Sequence, residues 1–364
     1  MSERPRARDI GLAPGTLPTG EHNAITDVAG VSVGHTTVIE GDDIRTGVTA
    51  ITPAPGNLYT HPIPARIHIG NGCGKLVGYT QVHEFGEIET PIVLTNTLAA
   101  WTAADALREW CFRQPGMGEH TLNPVVGEIN DGVVNNLWAQ PIQPAHVFQA
   151  LDTATDGPVA EGSVGGGTGS QTYAFKGGIG TSSRVLPQSD GGFRVGVLVQ
   201  SNLLAGAFLT MNGAPVGREL AGEKYNRLYT PSSANAGEKR DGSIVMVIAT
   251  DAPLESRTLD RLAARAMLGM ARTGAIAEHG SGDYAIAFST HPDVRRSRAA
   301  MAPVATSALP HAAMDPLFTA VVDATEEAIY NAVLKATTVE SSRGRLAEIP
   351  IAAVTAILEK HRAI

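Results

Sequence analysis

Short apolar runs mark the strands of this chain. The clearest are residues 91–94 (PIVL), 193–200 (FRVGVLVQ), 243–249 (SIVMVIA) and 284–288 (YAIAF). The run at 243–249 is almost wholly apolar, the pattern of a central strand covered on both faces. Helices show as a 3.6-residue periodicity. From Thr258, taken as N-cap, Leu259, Leu262, Ala263, Ala266, Met267 and Met270 fall on one face, with Asp260 in the first turn and Gly274 as the stop. A second helix has Asp315 as cap and Pro316 at its first position, with Phe318, Val321, Val322, Ile329 and Val333 inward. A third follows Pro350, with Ile351, Val354, Ile357 and Leu358 inward, and residues 98–110 read as a further buried helix. Strands mixed with long helices predict a layered α/β architecture, sheets sandwiched between helix layers.

Residues 230–242 (TPSSANAGEKRDG) are the most linker-like segment, polar and rich in small residues, and they stop abruptly against the strand that begins at Ser243. The chain of 364 residues is long enough for one large domain or two ordinary ones. Its 40 glycines exceed the usual share of about 7%. A formal net charge of −8 with no basic stripe argues against nucleic acid and anionic membranes as partners. Two cysteines, Cys73 and Cys111, make no CxxC pair, and His83-Glu84 lacks the second His of a zinc helix, so neither a metal nor a cofactor is expected. The opening residues lack an apolar core of a signal peptide, and no apolar stretch reaches the roughly 18 residues of a membrane helix; a cytoplasmic location is the expectation.

The junction of Gly242 with Ser243 carries candidate chemistry. A hydroxyl at a strand start can attack the carbonyl just before it, which a glycine leaves unshielded. An N-to-O acyl shift followed by ester hydrolysis then frees the serine amine. With an unperturbed pKa near 7.7–8.0, that amine can serve as base for its own hydroxyl. A Gly-Ser dipeptide is also a common loop ending, so the junction alone leaves both readings open.

A series of blocks in order along the chain decides between them. DGSIVMVIATDAPL (241–254) resembles the nucleophile segment of the DmpA family, the L-aminopeptidase/D-Ala-esterase/amidases and β-peptidyl aminopeptidases. NAITDVAGVSVGH (23–35), GNGCGKLVG (70–78), PIVLTNT (91–97), VVGEINDG (125–132), GSVGGGTGSQTYAFKGGIGTSSR (162–184), VGVLVQSN (195–202), HGSGDYAIAFST (279–290) and EEAIYNAVLKATTV (326–339) resemble the family's other blocks. The resemblance implies an αββα sandwich of the Ntn-hydrolase-like type shared with ornithine acetyltransferases. It also implies self-cleavage into chains 1–242 and 243–364 and a homotetramer of such pairs.

Site residues follow from the same resemblance. Ser243 matches the nucleophile and Gly242 the residue before the scissile bond. Ser281 and Asp283 match a catalytic Ser-x-acid pair, in which Ser281 is expected to bond the Ser243 hydroxyl or amine; some relatives carry Glu in place of Asp283. Asn202 resembles the oxyanion-hole amide, and Glu128 a carboxylate that holds the substrate's free amine. Asn130 stands where some relatives have Tyr, which suggests a different pocket. Each has a plainer reading: a strand-starting Ser, a Ser-Gly-Asp turn, a turn-forming Asn, a Glu paired with a structural Arg. The glycine block around Lys176 fails both phosphate-loop patterns and is read as close backbone packing near the site. The expected activity is removal of N-terminal residues from short peptides, amides or esters. The alternatives are an ornithine acetyltransferase-like acyltransferase, whose new N-terminus is Thr, and a non-catalytic binding protein that never cleaves.

Overall fold

The run that begins at Ser243 forms strand β11 (Ser243–Thr250), and all eight of its residues are buried. The computed structural model describes residues 4–203, 206–220 and 242–364, so of the linker-like segment only Gly242 falls among the described residues. β11 lies in a six-stranded sheet in the order β4 (Glu87–Ile88), β3 (Ile63–Gly72), β12 (Gly282–Ser289), β11, β10 (Arg194–Asn202), β9 (Gly178–Val185). A four-stranded sheet has the order β1 (Ser32–Glu40), β2 (Ile44–Thr52), β5 (Ile92–Asn96), β6 (Val125–Ile129). Two short hairpins complete the strands: β7 (Gln171–Thr172) with β8 (Phe175–Lys176), and β13 (Val339–Ser341) with β14 (Gly344–Leu346).

Seven helices are described: α1 (Tyr79–Phe85), α2 (Ala100–Phe112), α3 (Pro144–Asp152), α4 (Val216–Leu220), α5 (Ser256–Arg272), α6 (Asp315–Leu334) and α7 (Ile351–Lys360). Three apolar cores fix the layering. Val48, Ala50, Val93 and Val126 of the smaller sheet pack on Ala103, Leu107, Val147 and Leu151 of α2 and α3. Ile51, Leu94, Leu198, Val245 and Val247 fill the space between the sheets. Ile244, Met246 and Ile248 face Leu262, Ala266, Val321 and Ala328 of α5 and α6. The order is therefore helix, sheet, sheet, helix, as expected. Strand alternation explains why β11 is apolar throughout: its odd residues meet one sheet and its even residues meet helices.

Two helix starts differ from the sequence reading. α5 begins at Ser256 with Glu255 as N-cap, and the Thr258 hydroxyl bonds back to the Glu255 carbonyl at 2.8 Å instead of capping. In α6 the N-cap is Met314, with Asp315 at the first helical position and Pro316 next, still within the turn whose N–H groups need no partner. The larger departure is that α6 is buried all round from Ala320 to Leu334, not along one stripe. Its polar residues are satisfied inside the protein. Glu327 accepts from Arg184 (2.7 Å), Arg8 (3.0 Å) and Asn23, Asp323 pairs with Arg272 at 2.7 Å, and the Tyr330 hydroxyl donates to Glu326 at 2.7 Å. Strand β9, GIGTSSRV, lacks an apolar run, yet seven of its eight residues are buried because α6 lies on it. A Cβ on Gly180 would fall 1.9 Å from the Ala328 carbonyl, so only glycine lets the helix sit this close.

Arg184 and Glu327 are both fully buried. Truncating one partner of such a pair costs about 3–5 kcal/mol, because the other charge is left in an apolar surround. Arg184→Met is expected to lower the unfolding free energy by that amount in urea titrations, with an unchanged m-value. A loss below about 1 kcal/mol would show that Arg8 and Asn23 alone satisfy Glu327.

Candidate active site

Ser243 is the first residue of β11, and the two neighbouring strands decide what surrounds it. In the antiparallel pairing with β10 it stands opposite Asn202; in the parallel pairing with β12 it stands opposite Gly282. Directly opposed residues share a face with their Cβ atoms about 4.5–5.5 Å apart in an antiparallel pair. Val245 and Val247 belong to the core between the sheets, so alternation puts Ser243 and Asn202 on that face too. The Ser243 side chain is buried, and its Oγ has no hydrogen-bond partner among the described residues. An unpaired buried hydroxyl costs roughly 1–3 kcal/mol, and such exceptions in a folded protein call for an explanation.

Asn202 is held by one end. Its Oδ1 accepts from the Gln171 backbone N–H at 2.9 Å, which assigns the amide orientation and leaves the NH2 as the free donor end. Gln171 belongs to the glycine-rich block, and that block does pack tightly here. A Cβ on Gly166 would meet the Gln200 side-chain oxygen at 2.0 Å. The Lys176 Nζ lies fully buried and donates to the carbonyls of Gly167 (2.9 Å) and Gly177 (2.6 Å). Burial pushes its ammonium down in pKa, and the buried Asp131 carboxyl opposite it up.

Ser281 and Asp283 come together as a pair: the Ser281 hydroxyl donates to Asp283 Oδ1 at 2.6 Å, and Asp283 Oδ2 is buried without a partner among the described residues. Burial raises the Asp283 carboxyl to about 6, against the Ser281 hydrogen bond that lowers it. Their neighbours Ala285 and Ala287 face the helices, so this pair lies on the opposite face of the sheet from the Ser243 side chain. The expected bond between Ser281 and the Ser243 hydroxyl is therefore absent. The two groups lie by the end of β11 on opposite faces of the sheet. Asn71 fixes the turn that carries the pair, its amide donating to the carbonyls of Glu278 (2.9 Å) and Ser281.

Glu128 closes the site on the side of the smaller sheet. It is buried, and its Oε1 accepts from the Lys75 N–H at 2.9 Å, with the Lys75 Nζ 3.6 Å away. Its cationic neighbour is thus a lysine, itself donating to Thr97 Oγ1 at 2.7 Å, and not the structural arginine of the plainer reading. The point where a Cβ on Gly74 would lie is 3.2 Å from both Glu128 Oε1 and the Tyr284 hydroxyl. Tyr284 also covers Gly282, its Cε2 lying 3.2 Å from a Cβ built there, so its ring runs between Gly282, the partner of Ser243, and Gly74, beside Glu128. Burial first, then the Glu128 charge, raises the Tyr284 phenol to about 12, which keeps it neutral. Asn130 is exposed and its Oδ1 accepts from the Gly132 N–H at 2.9 Å, a local turn at the rim.

Lys75, Gln171 and Tyr284 were missed by sequence reasoning. Each lies inside a quoted block, but what marks it is contact with a residue distant in the chain. A cleft of about 470 Å³, lined by Arg66, Phe85, Glu87, Asp260 and Arg296 among others, sits toward the opposite end of β3 from Gly72 and does not touch these residues. Beside Ser281 lies a small hollow, bounded by Tyr173, Leu203, Ala277 and Glu278. Among the described residues, no cluster of three or more His, Cys, Asp or Glu could hold a metal, and no helix is long and apolar enough to cross a membrane.

Known proteins resemble this chain in sequence and in shape. Residues 23–347 match peptidase family S58. The chain is 40% identical to the β-peptidyl aminopeptidase BapA of Sphingosinicella microcystinivorans over 99% of this chain and 93% of that protein. It is 41% identical to BapA of Sphingosinicella xenopeptidilytica over 92% of this chain and 86% of that one. The solved structure of an L-aminopeptidase D-Ala-esterase/amidase from Ochrobactrum anthropi, described as a prototype for the serine aminopeptidases and a variant of the Ntn hydrolase fold, superposes with a TM-score of 0.88 at 36% identity, covering 99% of both chains. A Burkholderia sp. β-aminopeptidase superposes with a TM-score of 0.89 at 39% identity, covering 98% of this chain and 99% of that one. The family resemblance and the Ntn-type αββα fold both hold, and neither the acyltransferase nor the non-catalytic alternative is favoured. The chain belongs to peptidase family S58 and is a serine aminopeptidase of that family.

Proposed function

We propose that Ser243 is the nucleophile, that cleavage of the Gly242–Ser243 bond activates it, and that the mature enzyme removes N-terminal residues from short peptides, amides or esters with a free amine. The observation that carries this reading is the Ser243 hydroxyl, buried without a partner among the described residues, opposite an amide whose acceptor end is already taken.

In processing, Ser243 Oγ adds to the Gly242 carbonyl carbon, the C–N bond breaks, and the nitrogen takes up a proton. Water then hydrolyses the ester, leaving a carboxylate on Gly242 and an amine on Ser243. In turnover, that amine accepts the Oγ proton as Oγ attacks the substrate carbonyl. The Asn202 NH2 donates to the oxyanion, a contact worth roughly 3–4 kcal/mol of barrier. The ammonium passes its proton to the leaving amine, and water releases the acyl group. Asp283, bonded to Ser281 on the helix side of the strand that pairs with β11, stabilises the charged stage of that amine. Glu128 receives the substrate's ammonium in competition with the Lys75 Nζ, whose 3.6 Å separation is too long for a hydrogen bond. Asn130, at the rim, is placed to meet the substrate beyond that anchor. The names of the BapA relatives support β-peptides among the substrates. A cytoplasmic homotetramer of paired chains 1–242 and 243–364 completes the proposal.

Ser243→Ala is expected to give a folded, uncut chain with no amide hydrolysis; parental turnover by that variant contradicts the mechanism. Glu128→Gln is expected to raise KM for free-amine substrates about tenfold or more while cleavage at 242/243 continues. Equal turnover of N-acetylated and free peptides by the parent rules out the amine anchor. The Ser243 amine must be neutral to accept the Oγ proton, so kcat/KM is expected to fall as pH drops through the amine pKa, near 7.7–8.0 when unperturbed. Asp283, raised by burial to about 6 in the continuous chain, is ionised over that range and holds the amine pKa up. Asp283→Asn is expected to move the acid limb to lower pH; a limb that stays in place contradicts the role of Asp283 beside the amine.

A further inference from the structure

The glycine-rich block and its buried lysine have no part in the chemistry above, although they stand against Asn202. The β7–β8 hairpin turns through Tyr173 and Ala174, both left-handed at φ 53° and 65°. Two-residue hairpins of this twist favour Asn-Gly at these places, and non-glycine residues with positive φ are uncommon. Strain of this kind persists only where the surroundings over-determine it, and it concentrates at functional sites.

What over-determines the hairpin is its grip on the end of β10. Gln171 N–H donates to Asn202 Oδ1 (2.9 Å), the Thr172 hydroxyl to the Ser201 carbonyl (2.8 Å), and Tyr173 N–H to the Leu203 carbonyl. Three successive hairpin residues thus clamp three successive residues around Asn202. The far side is closed by Lys176. Its Nζ bridges the carbonyls of Gly167 and Gly177, and Gly177 N–H donates to Ser170 O at 3.0 Å. A Cβ on Gly169 would meet the Asp131 side chain at 2.8 Å, so the loop is wedged against the segment that follows Glu128. Among the described residues the fully buried Lys176 Nζ is hydrogen-bonded only to carbonyls, with the buried Asp131 carboxyl as its charged neighbour, and burying such a pair is often costlier than a hydrophobic residue of the same size. Stability alone does not account for it.

We propose that the β7–β8 hairpin, anchored by Lys176, is the positioning element that aims the Asn202 NH2 at the carbonyl oxygen of the substrate. This rests on the reading of Asn202 as the oxyanion donor. Lys176 touches no reacting atom and acts through Gly167, Gly177, Gln171 and Asn202 in turn. Without its bridge the loop relaxes, Gln171 N–H releases Oδ1, and the amide can rotate away from the oxyanion.

A double-mutant cycle tests this on protein incubated until mass spectrometry shows complete cleavage at 242/243, with the p-nitroanilide of alanine as substrate. Lys176→Met is expected to lower kcat about tenfold or more with KM within about twofold, because an oxyanion contact is made in the transition state. In an Asn202→Ala background the same substitution is expected to change kcat less than twofold. An unchanged kcat in Lys176→Met, or an equal fall in both backgrounds, overturns the proposal and leaves Lys176 a structural residue. If Lys176→Met is insoluble, Thr172→Val, which removes the tie to Ser201 without changing shape, takes its place with the same expectations. Parental turnover by Asn202→Ala alone would instead defeat the underlying reading of the site.

Discussion

The pairing of one buried strand with two neighbours of opposite sense is what the rest of the site depends on. β11 runs antiparallel to β10 and parallel to β12, and its first residue lies opposite the last residue of one and the first of the other. That register brings Asn202, Ser243 and Gly282 into one row. A slip by one residue would turn Ser243 toward the helices and Ile244 toward the other sheet. The register is held because both faces of β11 are covered, with Val245 and Val247 in one core and Ile244 and Met246 in the next. The burial that stabilises the sheet therefore also places the serine.

The same two-sided cover divides the site by face. The hydroxyl, Asn202 and Tyr284 lie between the sheets, whereas Ser281 and Asp283 lie among the helices; the Glu128 carboxylate meets Lys75 at the edge strand of the smaller sheet. The proposed use of a liberated amine requires the Ser243 nitrogen, at the strand end, to serve both groups. The surrounding charges are arranged with little solvent. Glu128 meets Lys75, Asp283 leans on a hydroxyl, and Lys176 leans on carbonyls. Burial shifts Asp283 up and Lys176 down, the directions expected when charged forms lose water. Sites of chemistry are where such shifts gather.

Much of the fold was legible in the chain. The runs at 193–200, 243–249 and 284–288 appear as β10, β11 and β12, and Gly274, at φ 97°, follows α5 closely. β1, β2, β3 and β9 escaped because their burial comes from packing against other elements and not from an apolar run: β9 is covered by α6 although it carries Ser182, Ser183 and Arg184. α6 misled in the opposite way. Its Asp323, Glu326 and Glu327 look like a solvated face, and only the arginines at 8, 184 and 272 make them interior. For the site, the family resemblance pointed to Ser243, Asn202, Ser281 and Asp283, which the fold does bring near one strand end. It did not separate the two faces of the sheet, since whether Ser281 meets a hydroxyl or a nitrogen depends on alternation from a known register. Lys75, Gln171 and Tyr284 were hidden for the same reason: each matters through a partner far along the chain.

If the strand-starting serine opens the chain behind it, mass spectrometry of the purified protein under denaturing conditions resolves two polypeptides, one ending at Gly242 and one beginning at Ser243; a single intact chain of 364 residues in fully active protein rules this out.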